Sequence, residues 1–238
     1  MNNFAGDMRV PLALIFVAVV LSGCRMLTER ETTFLSNIYS NQVAYDAVRL
    51  HSPFSSEKAD ERRLERALKR EVSTKQSGQL RGLSRSEFVN RSFAAMRARP
   101  EALVLGNSIY YARTSYRSDF AEGFPRQVVV DELSLLAHEM VHVWQHQNRE
   151  RTGYSLLAVA LEHLSYKRPY DYVITPGKAF LSYRFEQQGR IMQDYVFLAF
   201  QEAVLNRQDR SRLRQLRELL ETEFDLDDIR SELIAAVS

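Results

Sequence analysis

Residues 135–147 read LLAHEMVHVWQHQ and place two histidines four positions apart, with a glutamate directly after the first. On a helix, positions i and i+4 lie on one face, so the rings of His138 and His142 can point at a single atom. Neutral imidazole nitrogens are preferred ligands of zinc, so we expect one zinc ion there. The carboxylate of Glu139 projects beside such an ion, where it can act as general base toward a metal-bound water.

Helical context separates this HExxH pattern from a chance string. Asp131 offers an N-cap, residues 132–146 contain no proline or glycine, and apolar side chains lie on both sides of the histidines. This pattern predicts a buried helix. The alternative is a pair of hydrogen-bonded core histidines without an ion, but the complete motif on a helix favours metal binding.

A catalytic zinc site takes three protein ligands and a water, so the motif needs a third side chain. His146 lies a further turn, about 6 Å, beyond His142 and is too distant to share the ion. We expect it beside the ligands or at the surface. His163 lies late in an apolar helix and is expected to pack or to form a hydrogen bond, and His51 lies in a loop far upstream.

Our choice for the third ligand is Glu186, which follows His142 by 44 residues in the segment SYRFEQQGRIMQDY. A carboxylate on an otherwise apolar helical face is costly to bury without a cation, and zinc would be its partner. Glu162 is the second choice. Asp194 is the third, or else a residue that supports a ligand. The alternative reading leaves Glu186 exposed in a polar patch with neighbouring glutamines.

Around this helix the sequence predicts an α+β, mostly helical fold. ALVL and SIYYA flank Gly106-Asn107, a two-residue turn signal for a β-hairpin. We expect a third strand over residues 127–130. An edge strand ahead of the motif helix can hold an extended peptide by main-chain hydrogen bonds, or it can serve only as scaffold, and the sequence leaves both readings open.

The organisation of the whole chain follows from periodicity and composition. Four segments are expected, namely an export signal over residues 1–23, an N-terminal helical region over 24–100, a metal-binding core over 101–206 and C-terminal amphipathic helices over 207–238. The 215 residues after the signal suffice for one large domain. The net charge of +2 gives no reason to expect a nucleic-acid partner.

The amino terminus has the outline of an export signal. Arg9 precedes an apolar run from Pro11 to Leu21, and small residues follow. The run is about eleven residues long, whereas a spanning helix needs about twenty, so we do not expect a permanent transmembrane anchor.

The end of that run, LSGC over residues 21–24, resembles the bacterial lipoprotein processing box. The resemblance implies that Cys24 is lipidated and becomes the first mature residue, and Arg25 rather than an aspartate after it implies the outer membrane, facing the periplasm. The alternative is an ordinary secretory signal with an incidental cysteine. Because Cys24 is the only cysteine, it cannot form an intramolecular disulfide.

The motif helix together with FEQQGRIMQDY resembles the zincin-type metallopeptidases that use two histidines and one glutamate. More narrowly, the chain resembles uncharacterised bacterial zincin-like domains that share a HExxHxWQ helix, an upstream LGNxIYY hairpin and a YDY loop, over residues 102–195. The resemblance implies that His138, His142 and Glu186 bind the metal and that Glu139 is the base. Many such enzymes place an aspartate four residues after the third ligand, where this chain has Arg190.

A peptidase also needs a hydrogen-bond donor that faces the developing oxyanion. Tyr170, Tyr172, Tyr183 and His163 lie near the third-ligand helix in sequence, but aromatic residues there are more typical of packing. We therefore assign none of them as catalytic.

The predicted function is a zinc-dependent hydrolase, specifically a peptidase acting on a peptide or protein and tethered by lipid to a bacterial envelope membrane. The alternative is a non-catalytic lipoprotein in which zinc holds two helices together and the surface binds another protein. A third reading is a helical lipoprotein without metal. The three differ in zinc content and in the effect of replacing Glu139.

Overall fold

The computed structural model describes residues 24–51, 57–73, 84, 87–88, 90–91, 101–165 and 168–226. The strands are β1 (Cys24–Arg25), β2 (Arg49–His51), β3 (Ala102–Leu105) and β4 (Ser108–Tyr111). The helices are α1 (Glu29–Tyr39), α2 (Glu57–Ser73), α3 (Val130–Gln147), α4 (Arg149–Thr152), α5 (Leu156–Ser165), α6 (Phe185–Ala199) and α7 (Arg207–Leu220). Short 3-10 helices occur at Tyr45–Ala47, Phe180–Ser182 and Glu202–Val204. The export signal and residues 227–238 lie outside the described residues.

The expected α+β class is confirmed, and so is the hairpin. Strands β3 and β4 pair antiparallel in the register Val104 with Ile109, and Gly106 occupies the turn with a φ of 65°. Glycine adopts this left-handed conformation without a steric penalty, which explains its place in the two-residue loop.

The sheet is completed by strands from the N-terminal region. Its order is β1-β2-β4-β3, with β2 parallel to β4 and β1 antiparallel to β2. His51 therefore lies in strand β2 rather than in the expected loop, and its ring stacks on Tyr110 with 4.1 Å between centroids. Among the described strands, β3 forms one edge of the sheet.

The expected strand over residues 127–130 is wrong. The amide of Gln127 donates to the carbonyl of Gly123, which makes this segment part of a turn, and α3 begins at Val130. Asp131 is therefore not the N-cap. It lies in the first turn, where its negative charge interacts favourably with the positive end of the helix dipole.

The core lies where α3 packs against α6. Trp144 is fully buried, donates from Nε1 to the side-chain oxygen of Gln42, and packs against Phe224 with 4.9 Å between ring centroids. A second apolar cluster joins α2 to α5, with Leu68 and Val159 among its members. None of the described helices combines the length and apolar character that crossing a bilayer requires.

The start of α1 is held by a fully buried carboxylate, that of Glu31. Arg25 donates to both of its oxygens at 2.6 and 2.7 Å, and the amides of Thr28 and Phe120 donate to it at 2.8 Å each. Four donors satisfy the charge, and Arg25 thereby joins β1 to the rest of the core.

We expect Glu31→Gln to lower the free energy of unfolding by about 3 kcal/mol, because it leaves the guanidinium of Arg25 without its buried partner. Urea unfolding of the purified protein measures this change. The matched control is Glu29→Gln, which removes an exposed acid from the same turn and should cost less than about 1 kcal/mol. Equal losses would show that only charge at the helix start matters.

Candidate metal centre

Helices α3 and α6 bring three expected ligands to one point. The Nε2 atoms of His138 and His142 lie 3.7 and 3.4 Å from Oε2 of Glu186. These separations are longer than a hydrogen bond. They match the edge of a tetrahedron around an ion with bonds of about 2.1 Å, which is about 3.4 Å. The donor set and its spacing therefore fit a metal ion, and all three side chains are buried.

The electrostatics of the group keep the buried carboxylate of Glu186 charged. Burial would raise the pKa of Glu186, but the charge of His142 and the close histidines, of which His163 lies at hydrogen-bond distance, hold it well below its usual range. Burial alone would lower the pKa of His142, yet the charge of Glu186 raises it to about 9. The carboxylate thus stays ionised inside the protein, and positive charge beside it is required.

His163 holds the carboxylate of Glu186 in place, and Glu162 holds the backbone that carries it. Nε2 of His163 lies 2.9 Å from Oε1 of Glu186, so the expected hydrogen-bonding role of His163 is found here. Glu162 accepts from the amides of Phe185 and Glu186 at 3.1 and 3.4 Å, so it caps α6 rather than joining the ligands. With Oε1 engaged by His163, Oε2 is left to face the two imidazoles.

Glutamines contact the other nitrogens of the histidine rings. Nδ1 of His138 lies 3.1 Å from Oε1 of Gln193, and Nδ1 of His142 lies 2.9 Å from Oε1 of Gln145. Such partners orient a ligating imidazole and leave its Nε2 for the ion. Neutral amides, rather than carboxylates, thus contact Nδ1 of both rings.

Arg190 and Asp194 form a separate cluster at the surface. Arg190 is exposed and pairs with Asp194 at 2.7 Å, while Arg212 and the hydroxyl of Tyr172 donate to the same carboxylate at 2.6 and 2.7 Å. Asp194 is therefore not brought to the ligand group. Its contacts tie the loop around Tyr172 to helices α6 and α7.

A glycine permits the close approach of α6 to the first histidine. A Cβ atom on Gly189 would lie 2.8 Å from Nε2 and 2.9 Å from Cε1 of His138, closer than real Cβ contacts allow. Gly189 follows Glu186 by three positions and so lies on the same face of α6. The glycine thus sets the distance at which the ligands of the two helices meet.

Glu139 and strand β3 line a small cleft at the three candidate ligands. Glu139 is buried, and burial raises the pKa of its carboxyl, although His138 and His142 offset part of that rise. Tyr154, Leu156 and Val159 give the cleft an apolar side. The cleft therefore combines a carboxylate with apolar surface and a strand edge, as ligand sites commonly do.

Of the remaining aromatic residues near the site, Tyr170 lies at the cleft, whereas Tyr183 and His146 lie away from the three ligands. Tyr170 lines the cleft, with its ring 5.9 Å from that of His138. The hydroxyl of Tyr183 instead contacts the backbone of Thr175 and Val173, away from the ligands. His146 packs near Tyr154, outside the ligand group.

Sequence reasoning did not identify Gln145, Gln188, Gln193 or Gly189. A signal was available for two of them. Gln145 follows His142 by three positions and Gly189 follows Glu186 by three, so each shares a helical face with a ligand. Gln188 and Gln193 carry no comparable signal, because their roles depend on how α6 packs on α3.

The chain is similar over 65 residues to the type VI secretion system spike protein VgrG2b of Pseudomonas aeruginosa, with 40% identity there. The shared stretch covers 26% of this chain and 6% of that protein. No family model and no solved structure matches the chain. The likeness is local and does not show a family for this chain.

We expect Gly189→Ala to weaken the binding of Zn²⁺ about tenfold or more, because the new methyl group must displace the ring of His138. A competition titration against a chromophoric chelator measures the affinity. Alanine favours a helix over glycine by about 1 kcal/mol, so weaker binding would not reflect a weaker helix.

The matched control for this substitution is Gly153→Ala. Its Cβ would meet no atom within 4 Å, but its φ of 69° is strained for alanine. We expect a loss of about 1 kcal/mol in stability with unchanged affinity for Zn²⁺. Wild-type affinity in Gly189→Ala would contradict the role given to this glycine.

Proposed function

We propose that this protein is a zinc-dependent hydrolase of the zincin type, specifically a peptidase. The observation that carries the proposal is the buried convergence of His138, His142 and Glu186 at the spacing of a tetrahedral ligand set, with Glu139 in the same cleft. Two imidazoles and one carboxylate form a known ligand set of catalytic zinc in peptidases, and this set leaves the fourth position for water.

The three ligands would hold the ion, and Glu139 would handle the proton. When bound, zinc polarises a carbonyl and makes a metal-bound water acidic near neutral pH. Because Glu139 follows His138 on α3, its carboxylate lies beside the ligands without being one of them. It can accept a proton from water and donate it to a leaving amine.

An extended peptide is the substrate that the cleft suits best. Residues 102–104 of β3 line the cleft, and β3 is an edge among the described strands. An edge strand can bind a peptide through main-chain hydrogen bonds, which gives affinity without a fixed sequence. The apolar side formed by Leu156 and Val159 would receive an apolar side chain of that peptide.

The proposed location is the bacterial outer membrane, facing the periplasm, with a lipid on Cys24. The support is in the sequence, where an export-like segment ends at LSGC and Arg25 follows. Cys24 is a free thiol. The local likeness to a spike protein covers 6% of that protein, so its secretion role is not carried over.

We expect the purified protein to bind one Zn²⁺ and to become more stable by about 2.7 kcal/mol at free zinc 100-fold above the dissociation constant. Elemental analysis and thermal unfolding measure this. His138→Ala should lose the ion and the stabilisation, whereas Glu139→Gln should keep both. No stoichiometric metal in the wild-type protein would refute the metal centre.

Glu139→Gln should lower kcat for peptide hydrolysis by about 10²- to 10⁴-fold, because glutamine cannot accept the proton. A quenched fluorescent library of unstructured peptides provides the assay. The control is Glu150→Gln, which removes an exposed carboxylate from α4, outside the residues that line the cleft, and should leave the rate unchanged. Zinc binding without any hydrolysis by the wild-type protein would favour the scaffold function.

A further inference from the structure

A chain of side-chain amides links the start of α6 to His142. Gln145 and Gln188 are buried, with 0% and 1% of their surfaces exposed. Nε2 of Gln188 donates to the carbonyl of Tyr183 at 2.7 Å, and its Oε1 accepts from Nε2 of Gln145 at 2.9 Å. Nε2 of Gln145 also donates to the carbonyl of Phe185 at 3.3 Å, and its Oε1 faces Nδ1 of His142 at 2.9 Å.

The direction of every bond in this chain is set by the two backbone carbonyls. The oxygen and nitrogen of an amide side chain are normally assigned only from their partners. A carbonyl can only accept, so the amide nitrogens of Gln188 and Gln145 must face Tyr183 and Phe185. A reversed Gln145 would place its oxygen against two other oxygens in a buried site, where the unpaired groups are costly.

The direction of the amides determines the tautomer of His142. The oxygen of Gln145 can only accept, so a neutral His142 must carry its hydrogen on Nδ1. Its Nε2 then presents a lone pair on the side where Oε2 of Glu186 lies. This is the tautomer that can bind an ion at Nε2.

We propose that Gln188 acts through Gln145 to hold His142 in the tautomer whose Nε2 binds the ion, so both glutamines are positioning residues of the metal centre. The inference rests on the proposed metal site but not on the proposed hydrolysis. The amides reach His142 from the start of α6, which also carries Glu186. Docking of α6 on α3 therefore delivers one ligand and preselects the tautomer of another.

The amide that faces His138 is held less firmly than the one that faces His142. Its Nδ1 contacts Oε1 of Gln193 at 3.1 Å, and Gln193 is only half-buried. Among the residues that the structure describes, no backbone carbonyl accepts a hydrogen bond from that amide. The structure therefore determines the tautomer for His142 and not for His138.

The test compares Gln145→Met, Gln188→Met and the double variant in the full protein, with Zn²⁺ affinity measured by chelator competition. We expect each single variant to lose roughly 10- to 100-fold in affinity, the range typical of groups that orient a metal ligand. Because Gln188 acts through Gln145, the double variant should bind no more weakly than Gln145→Met. Losses that multiply would overturn the proposal.

The matched control is Gln187→Met. Gln187 is also buried on α6 and also donates to a backbone carbonyl, that of Asp171 at 2.6 Å, but it does not contact the amide chain. We expect its Zn²⁺ affinity to stay within about threefold of wild type, below the range for groups that orient a ligand. A loss as large as that of Gln188→Met would show that α6 stability alone is at work, and would overturn the proposal.

A spectroscopic signature separates tautomer control from a structural effect. In the Co²⁺-loaded protein, the Nδ1 hydrogen of His142 should give a shifted proton signal that exchanges slowly with water. Gln145→Met should abolish the slow exchange, and an unchanged signal would overturn the proposal. If Gln188→Met fails to fold, Gln188→Leu replaces it, since leucine also removes the group that accepts from Gln145, and wild-type Zn²⁺ affinity in that variant would overturn the proposal.

The outcomes also separate this inference from the proposed function. A wild-type protein that binds no metal refutes the metal centre, and the inference falls with it. A wild-type protein that binds Zn²⁺ while Gln188→Met binds it equally well refutes the inference alone. Hydrolysis enters neither measurement.

Discussion

One buried carboxylate, that of Glu186, organises the centre of this protein. The carboxylate of Glu186 is removed from water, so positive charge or hydrogen-bond donors must compensate for it. His138, His142 and His163 surround it, and a cation fits the point that the first two face. The packing of α3 against α6 has to satisfy this requirement as well as bury apolar surface.

Two features adapt the helix pair to that task. Gly189 removes a side chain where the ring of His138 needs the space, and amides rather than acids support the histidine rings. Carboxylates in those positions would add negative charge to a buried site that already holds Glu186 and Glu139. Neutral support keeps the number of buried charges small while still orienting the imidazoles.

Short-range sequence patterns predict the elements near the site, but not the pairings between distant segments. The hairpin at Gly106 and the helix carrying His138 follow from short-range signals, and the choice of Glu186 followed from the cost of burying a carboxylate. The parallel pairing of β2 with β4 joins segments far apart in sequence, which periodicity cannot reveal. The expected strand over 127–130 is wrong because apolar β-branched residues can also lie in an exposed turn that leads into a helix, where Val129 is 57% exposed.

The position of Cys24 within β1 limits how far a lipid on that residue would let the domain extend from a membrane. Residues 24 and 25 already pair with β2, so an acyl group on Cys24, as proposed, would leave no flexible stalk between lipid and domain. Strand β3 lies three strand spacings away, about 14 Å across the sheet. The domain would therefore be held directly at the bilayer surface. It would meet only polypeptides that come to that surface.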